Sequence, residues 1–426
     1  MRLGLGLRLG FASKISLNRS YGLSWNQSTD VYERLGSLKD YGVSYASAPL
    51  SNILESALFV QNKMRRCLVA DDGTVNYYLD PDNSALKADG ITASDLAGTD
   101  GQVMVEIPKF YLKQSKTGDV FSWEISLSNL PGYSLHPAFI KDGAEVDYRY
   151  MSAFEGSMYD ASESAMCAKA SIAASLYASG DKMCSVIDQW AKTNEQRSEY
   201  RTMAAERATG WRQMDYYLYS AIQLLYLIEY ANFNSQSKIG NGRTALSGGS
   251  WVADSYIGKT GLSVSDGNFS NSVANGGINY ATDYMTYRGI ENLYGNVYKM
   301  VDGIAWDGRW TGVEAAQPVY ASNNVAYFND DSGANMTHLC DADYIGGNAG
   351  YIDNIKEAVG FIPKSVGAST KLYDYYYQYS ESGKDYWRVP LVGGYANNGS
   401  SAGAFSLDVL DAWTLVHAGV GARLCL

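Results

Sequence analysis

The chain has 426 residues and a net charge of −11, from 34 Lys and Arg against 45 Asp and Glu. Its length predicts two or three structural units, and its negative charge argues against nucleic acid as a partner, because a phosphate backbone would be repelled. Tyr contributes 35 residues, which is typical of a recognition surface, although Tyr also packs within β-structure.

The N-terminal region, residues 1–60, is rich in Gly, Ser, Leu and Tyr and predicts small β-structure or an extended arm. Arg2 and Arg8 interrupt the apolar stretch at its start, so we expect no signal peptide. The longest apolar run, at residues 221–228, is too short to cross a bilayer. We therefore expect no membrane insertion, and export, if any, by lysis or within an assembly.

Residues 61–100 are predicted to form a β-hairpin connector. Two strand-like runs, at 67–70 and 75–79, flank the turn pair Asp72-Gly73. Further strands are predicted at 103–107, 110–112 and 121–127, because apolar residues alternate there. A sheet-containing domain is therefore expected from residue 101 to the C-terminus.

The second half of the chain combines helical and loop signals. Residues 161–207 are rich in Ala, Ser and Met and favour helix, whereas residues 234–350 lack periodicity and predict long loops. The clearest helix covers residues 215–230, with Asp215 as N-cap. One face of this helix is predicted to be core: Met214, Leu218, Ile222, Leu225 and Ile228. Closing strands are expected within residues 385–426.

The side chains that could carry chemistry do not form a recognisable catalytic or metal motif. The three His lie far apart in the sequence, no nucleophile-elbow motif is present, and the five Cys show no paired spacing. We expect mostly free, buried thiols. Acidic loops at 302–307, 330–331 and 341–343 could hold Ca²⁺, but Asp beside Gly and Asn is also ordinary turn chemistry. No cofactor, metal or catalytic residue is therefore predicted.

Two segments resemble the sulfatase-modifying-factor branch of the C-type lectin fold, to which formylglycine-generating enzyme belongs. Residues 293–300 are similar to its Gly-Asn-Val signature, and residues 387–394 with 421–424 are similar to its Trp-Arg, Gly-Gly and closing Gly-x-Arg elements. The resemblance implies an α+β fold, with a C-type-lectin-like domain over 101–426 that has long loops and follows a small β-rich N-terminal region. Cys340, Cys425 and Lys299 depart from the enzyme's pattern, so its oxidase activity is not expected to carry over.

The order of elements in residues 373–424 resembles the variable proteins of diversity-generating retroelements, including phage tail-tip tropism determinants. In that family, adenine-directed mutagenesis diversifies a ligand-binding face, here residues 371–426. The resemblance implies a ligand-binding set on one exposed face: Tyr375, Tyr377, Tyr395, Asn397, Asn398, Ser401, Ser406, Asp408, Leu410, Asp411, Trp413, Leu415 and His417. A framing set is expected to be buried or constrained: Trp387, Val389, Gly393, Gly394, Phe405, Gly421, Arg423 and Leu424.

Residues 65–79 and 101–111 also resemble phage tail-associated proteins, which implies a virion-attachment or oligomerisation role for residues 1–60. We therefore expect a non-enzymatic, extracellular receptor-binding protein of a phage tail, a homotrimer that contacts other tail proteins and a bacterial surface protein or glycan. The alternatives are a formylglycine-generating-type oxidase and a lectin displayed on a bacterial surface. A Ca²⁺-dependent lectin is disfavoured, because the chain lacks Glu-Pro-Asn, Gln-Pro-Asp and Trp-Asn-Asp triplets.

Overall fold

The computed structural model describes residues 19–43, 57–167, 177–245, 257–274, 282–310, 316–345, 349–367, 372–378 and 385–426. Strands account for 36% and helices for 12%, and the strands are distributed over many small sheets. The prediction of an α+β, C-type-lectin-like fold is therefore wrong. The physical reason is that short segments pair with strands distant in the sequence, and this pairing outweighs weak local helix propensity.

Most of the elements are short. In the described part of the chain the first half contains these strands: β1 (Ser20–Asn26), β2 (Val31–Gly36), β3 (Arg65–Val69), β4 (Val75–Tyr78), β5 (Gln102–Pro108), β6 (Tyr111–Thr117), β7 (Val120–Ser126), β8 (Ser134–Leu135), β9 (Ile140–Lys141), β10 (Ala144–Glu145), β11 (Tyr148–Ser152), β12 (Ser157–Asp160), β13 (Ala165–Met166), β14 (Lys182–Cys184) and β15 (Arg212–Gln213).

The described residues also form three helices, and further strands follow in the second half. The helices are α1 (Arg197–Ala205), α2 (Tyr216–Tyr230) and α3 (Ser235–Lys238). The strands are β16 (Asn271–Val273), β17 (Tyr284–Tyr287), β18 (Ile290–Glu291), β19 (Tyr298–Met300), β20 (Ile304–Trp306), β21 (Gln317–Ala321), β22 (Thr337–Ala342), β23 (Ala349–Ile355), β24 (Pro363–Gly367), β25 (Tyr375–Gln378), β26 (Leu391–Val392), β27 (Leu407–Val409), β28 (Val420–Gly421) and β29 (Leu424–Cys425).

Three larger sheets organise the fold. The first has the order β2-β1-β7-β6-β8, the second β15-β29-β11-β5-β3-β4, and the third β24-β23-β25-β27-β26-β19-β28. The hairpin expected before residue 80 is present as β3 and β4, with Cys67 opposite Tyr78. Because β1 pairs with β7 and β3 with β5, the sheets do not divide at residue 60 or at residue 100.

The helices differ from the prediction in one segment and agree with it in another. In the described part of 161–207 only α1 is helical, and β13 and β14 pair with β12 instead. The loops expected across 234–350 contain the short strands β16 to β22. By contrast, α2 confirms the helix predicted at 215–230, since the Asp215 carboxylate accepts the Leu218 N–H at 2.9 Å.

Helix α2 lies at the centre of the core, and all fifteen of its residues are buried. Most of these residues are apolar or aromatic, as expected of a helix that is surrounded by protein. At its N-terminus the Asp215 carboxylate pairs with the Arg149 guanidinium at 2.6 Å, and both side chains are fully buried. Burial disfavours the Asp215 carboxylate, but the charges of Arg149 and Arg212 outweigh it and leave the pKa of Asp215 below its usual value.

Three of the cysteines, Cys67, Cys184 and Cys425, are buried free thiols, as predicted. Among the described residues, no helix is long and apolar enough to cross a membrane.

The Asp215→Asn variant tests the buried pair separately from the helix cap, because Asn is also a good N-cap. We expect the free energy of unfolding to fall by about 3–5 kcal/mol, since Arg149 would remain buried and uncompensated. Urea unfolding followed by circular dichroism measures this. The control, Lys113→Ala, removes the partly exposed pair with Glu124 and is expected to cost less than about 1 kcal/mol. Equal effects of the two substitutions would contradict the central role of the pair.

Candidate ligand-binding site

The loop at residues 393–401 is held by backbone hydrogen bonds to a turn that precedes β19. The Gly295 N–H donates to the Gly393 carbonyl at 3.1 Å, and the Ala396 N–H donates to the Asn296 carbonyl at 3.0 Å. Gly295 and Asn296 both have positive φ, at 78° and 58°, so the Gly-Asn pair suits this turn. The Gly-Asn-Val motif, which resembles the signature of the lectin branch, therefore forms a turn that supports the loop at residues 393–401.

A buried ion pair lies beside this turn. The Lys299 ammonium is 3.0 Å from the Glu155 carboxylate, and both side chains are at most 2% exposed. The Asn292 and Asn296 amides donate hydrogen bonds to the same carboxylate. Burial lowers the pKa of Lys299 to about 8, although Glu155 opposes this shift. Glu155 thus neutralises the charge of Lys299. Sequence reasoning missed this partner because Glu155 lies far from Lys299 in the chain.

A second support holds the turn at residues 403–406. The Tyr219 hydroxyl and the Gln223 amide of α2 both donate to the Ala404 carbonyl at 2.8 Å. The buried Asp374 carboxylate accepts the Phe405 N–H at 2.7 Å. Burial raises the pKa of Asp374, against the effect of its backbone hydrogen bonds. Through these contacts the central helix determines the position of the chain that enters β27.

Strand β25 divides its tyrosines between two faces of the third sheet. Tyr376 is fully buried, whereas Tyr375 and Tyr377 on either side of it are half-buried, as expected from the alternation of side chains along a strand. Tyr351 of β23 is the register partner of Tyr375, and their rings meet edge to face with centroids 4.8 Å apart. The Tyr375 and Tyr377 rings are also 4.8 Å apart.

Two further tyrosines extend this cluster towards the loop. The Tyr298 and Tyr395 ring centroids are 5.4 Å apart. Burial raises the pKa of Tyr298, and the charges of Asp408, Tyr377 and Tyr395 raise it further, so these groups lie within electrostatic reach of one another. We call this cluster the tyrosine face and define it by Tyr298, Tyr351, Tyr375, Tyr377 and Tyr395.

Polar side chains of the loop lie against the tyrosine face. The Ser400 hydroxyl is 2.8 Å from the Tyr351 hydroxyl, and Ser401 hydrogen-bonds Tyr377. Asn398 accepts the Tyr395 N–H at 2.6 Å, and its side chain also hydrogen-bonds Tyr298. Asn397 hydrogen-bonds the Tyr395 hydroxyl. These contacts bring Asn397, Asn398 and Ser401 of the predicted set together with its three tyrosines.

Asp408 is a buried neighbour of this cluster. It is opposite Tyr377 in the parallel pairing of β25 with β27 and therefore points to the same side of the sheet. Its side chain is buried and accepts the Leu410 N–H at 2.9 Å. Burial raises the pKa of Asp408 to about 7, and the charge of Asp411 adds to the shift, against the Leu410 hydrogen bond.

The rest of the predicted set follows Asp408 along the chain. The Leu410 carbonyl accepts from Arg388 at 2.6 Å, and the Asp411 carbonyl accepts from the Val389 N–H at 3.0 Å. Leu415 packs on the core cluster that contains Tyr298. The pKa of His417 is lowered by burial, with Asp411 opposing the shift, so Asp411 is within electrostatic reach of both Asp408 and His417. Trp413 is half-buried.

The prediction that the whole set lies on one exposed face is wrong for two residues, which are buried. Ser406 is 1% exposed and lines a cavity on the core side together with Tyr219 and Gln223. Asp408 is 8% exposed. Both residues belong to short buried segments, at 402–406 and 408–409. Because their side chains are polar, the sequence did not indicate that they are buried.

The framing set is confirmed except at Trp387, which is half-buried. The buried members are Val389, Gly393, Gly394, Phe405, Gly421, Arg423 and Leu424. Sequence reasoning missed Tyr298, Tyr351 and Ser400. Tyr351 could have been found from alternation in the run that became β23, whereas Tyr298 and Ser400 become neighbours of the site only through tertiary contacts.

Two of the acidic loops considered for Ca²⁺ form ion pairs with an arginine. Arg201 contacts both oxygens of Asp302, at 2.6 and 2.8 Å, and also contacts Asp330. Within the described ranges, no group of three or more His, Cys, Asp or Glu side chains is arranged to hold a metal ion.

No protein-family model matches this chain, and a search of curated proteins finds no match.

The loop geometry generates a prediction about Gly394. A Cβ at this position would lie 2.7 Å from the Ala402 Cβ, and its φ is +72°. We expect Gly394→Ala to lower the free energy of unfolding by about 1–3 kcal/mol more than its control, because of overpacking. The control is Gly399→Ala, at φ +54° with no atom within 4 Å of the added Cβ; it should cost about 1–2 kcal/mol from backbone conformation alone. Equal losses in urea unfolding would mean that this close approach does not constrain the loop.

Proposed function

We propose that this protein is a non-enzymatic binding protein that holds its ligand on the tyrosine face. The observation that carries the proposal is the gathering of Tyr351, Tyr375 and Tyr377 from adjacent strands with Tyr395 from an anchored loop. Tyrosine offers a large contact area with few rotatable bonds, and its hydroxyl can pair with polar groups of a partner. Side chains that are already ordered lose less entropy on binding.

We further propose that the ligand is a protein or glycan on a bacterial surface and that the chain acts at the tip of a phage tail. Support comes from the sequence resemblance of residues 65–79, 101–111 and 373–424 to tail-associated and retroelement-diversified proteins. The proposal does not depend on a C-type-lectin-like fold. A homotrimer attached to other tail proteins belongs to the same proposal, since linking several weak sites increases avidity.

An oxidase of the formylglycine-generating type would require a reactive cysteine. Burial raises the pKa of Cys340 to about 11, with a smaller opposing effect of Lys356. Burial also raises the pKa of Cys425. Both thiols are therefore expected to stay protonated at neutral pH, which makes them poor nucleophiles and poor metal ligands. This chemistry favours binding over oxidation.

Truncation of the tyrosine face tests the binding proposal. We expect Tyr375→Ala and Tyr377→Ala each to weaken binding of the full-length chain to bacterial cells by more than about 1 kcal/mol. The free energy of unfolding should change by no more than about 1 kcal/mol, because neither residue is fully buried. Flow cytometry with labelled protein on a panel of intact strains measures binding, and urea unfolding measures stability.

The matched controls are Tyr148→Ala and Tyr327→Ala, at tyrosines that are 45% and 38% exposed and lie outside the face. These variants should bind as the unchanged protein does. If all four substitutions weaken binding equally, or if the unchanged protein binds no strain, the tyrosine face is not the binding surface.

The diversification proposal has a genomic test. We expect a reverse transcriptase gene and a near-copy of the 3′ end next to the gene, with differences confined to adenines of the copy. The substituted codons should fall on members of the predicted set that are not buried, such as Tyr395 and Asn397, and spare Phe405 and Leu424. Differences concentrated on the buried positions would contradict the proposal.

A further inference from the structure

A carboxylate that the described residues leave largely unpaired lies next to the tyrosine face. Asp408 is 8% exposed, and within the described residues its hydrogen bonding is limited to the Leu410 N–H at one oxygen. No described Lys or Arg forms an ion pair with it. A buried charge without a partner is costly. A cation that reaches the Asp408 carboxylate would therefore stabilise its charged form.

The groups around Asp408 include two tyrosines, a leucine and a second aspartate. Tyr377 of β25 is its register neighbour, Leu391 of β26 lies on its other side, and Tyr298 of β19 is within electrostatic reach. Asp411, which follows β27, adds a second negative charge.

Two basic side chains near this stretch have other interactions. Arg388 donates to the carbonyls of Leu410 and Gly308. Burial lowers the pKa of His417, so its imidazole is mostly neutral at pH 7.

We propose that the tyrosine face binds an ammonium group of the partner, with Asp408 as its counter-ion. The inference rests on the proposed binding function and gives the chemistry of the ligand. Tyrosine rings attract a cation that lies over their faces within about 6 Å. An aromatic cluster combined with a carboxylate is therefore expected to bind a cation more tightly than a neutral molecule of the same shape. Lysine side chains, amino sugars and choline groups on cell surfaces all carry this group.

The proposal implies that binding is linked to pH. Burial raises the pKa of Asp408 to about 7, so the carboxyl is mostly neutral at pH 6 and mostly charged at pH 8. Only the charged form can act as a counter-ion, and affinity for a permanently charged cation should therefore rise by about tenfold between these two pH values. The other titratable side chains within electrostatic reach of Asp408 and its loop are Asp411 and His417; burial lowers the pKa of His417, and Asp411 opposes this shift.

The experiment compares choline with 3,3-dimethylbutan-1-ol, which has the same shape and no charge. Binding to the full-length protein is measured by titration in protein-observed NMR at pH 6 and pH 8. We expect choline to bind at least about tenfold more tightly than the neutral compound at pH 8. The Asp408→Asn variant retains the acceptor for the Leu410 N–H; it should lose about tenfold in choline affinity at pH 8 and lose the pH dependence.

The control variant is Asp147→Asn, at an aspartate with a side chain 74% exposed and outside the face; it should leave choline binding unchanged. Equal affinities for choline and the neutral compound, or an unchanged affinity in Asp408→Asn, would overturn the proposal. If choline fails to bind while Tyr375→Ala still reduces cell binding, the ammonium assignment falls and the binding function stands. If both fail, both proposals fall.

Discussion

The structure depends on satisfying the polar groups at both ends of a completely buried helix. At the N-terminus of α2, Asp215 caps the helix and pairs with Arg149 of β11. At its C-terminus, Arg34 of β2 donates to the Ile228 and Glu229 carbonyls at 2.8 and 2.9 Å. The Glu229 carboxylate in turn pairs with Arg288, after β17, at 2.8 Å. Because unpaired buried charges are costly, these contacts fix the helix between sheets formed by distant parts of the chain.

The same helix supports the tyrosine face. Tyr219 and Gln223 lie on one side of α2 and share the Ala404 carbonyl, while the Tyr226 ring packs edge to face on Phe405 at 5.8 Å. The strand that follows carries Asp408 next to Tyr377. A binding surface built on such contacts is preorganised, and its outer side chains can change while the backbone stays in place.

Sequence reasoning succeeded where local patterns reflect local physics. The Asp215 cap with its apolar stripe correctly predicted α2. The set implied by the resemblance left out Tyr376, which is buried, and included Tyr375 and Tyr377, which are half-buried. It failed where Ala and Ser content was taken for helix before α1, because composition alone is a weak guide when short strands can pair with distant partners. The prediction of a C-type-lectin-like fold also failed. A short motif such as Gly295-Asn296 specifies the conformation of a turn, and it does not specify how the surrounding strands are arranged in sheets.

The sequence by itself determined the local features: the central helix, the hairpin of β3 and β4, the buried framing residues and the tyrosine-rich stretch, since each depends on periodicity or turn chemistry between near neighbours. Only the tertiary structure decided that Glu155 pairs with Lys299, that Tyr351 contacts Tyr375, and that the buried Asp408 lies beside Tyr377 and within electrostatic reach of Tyr298. Such pairs are set by the register of strands far apart in the chain. A one-residue shift in that register would turn every side chain to the opposite face.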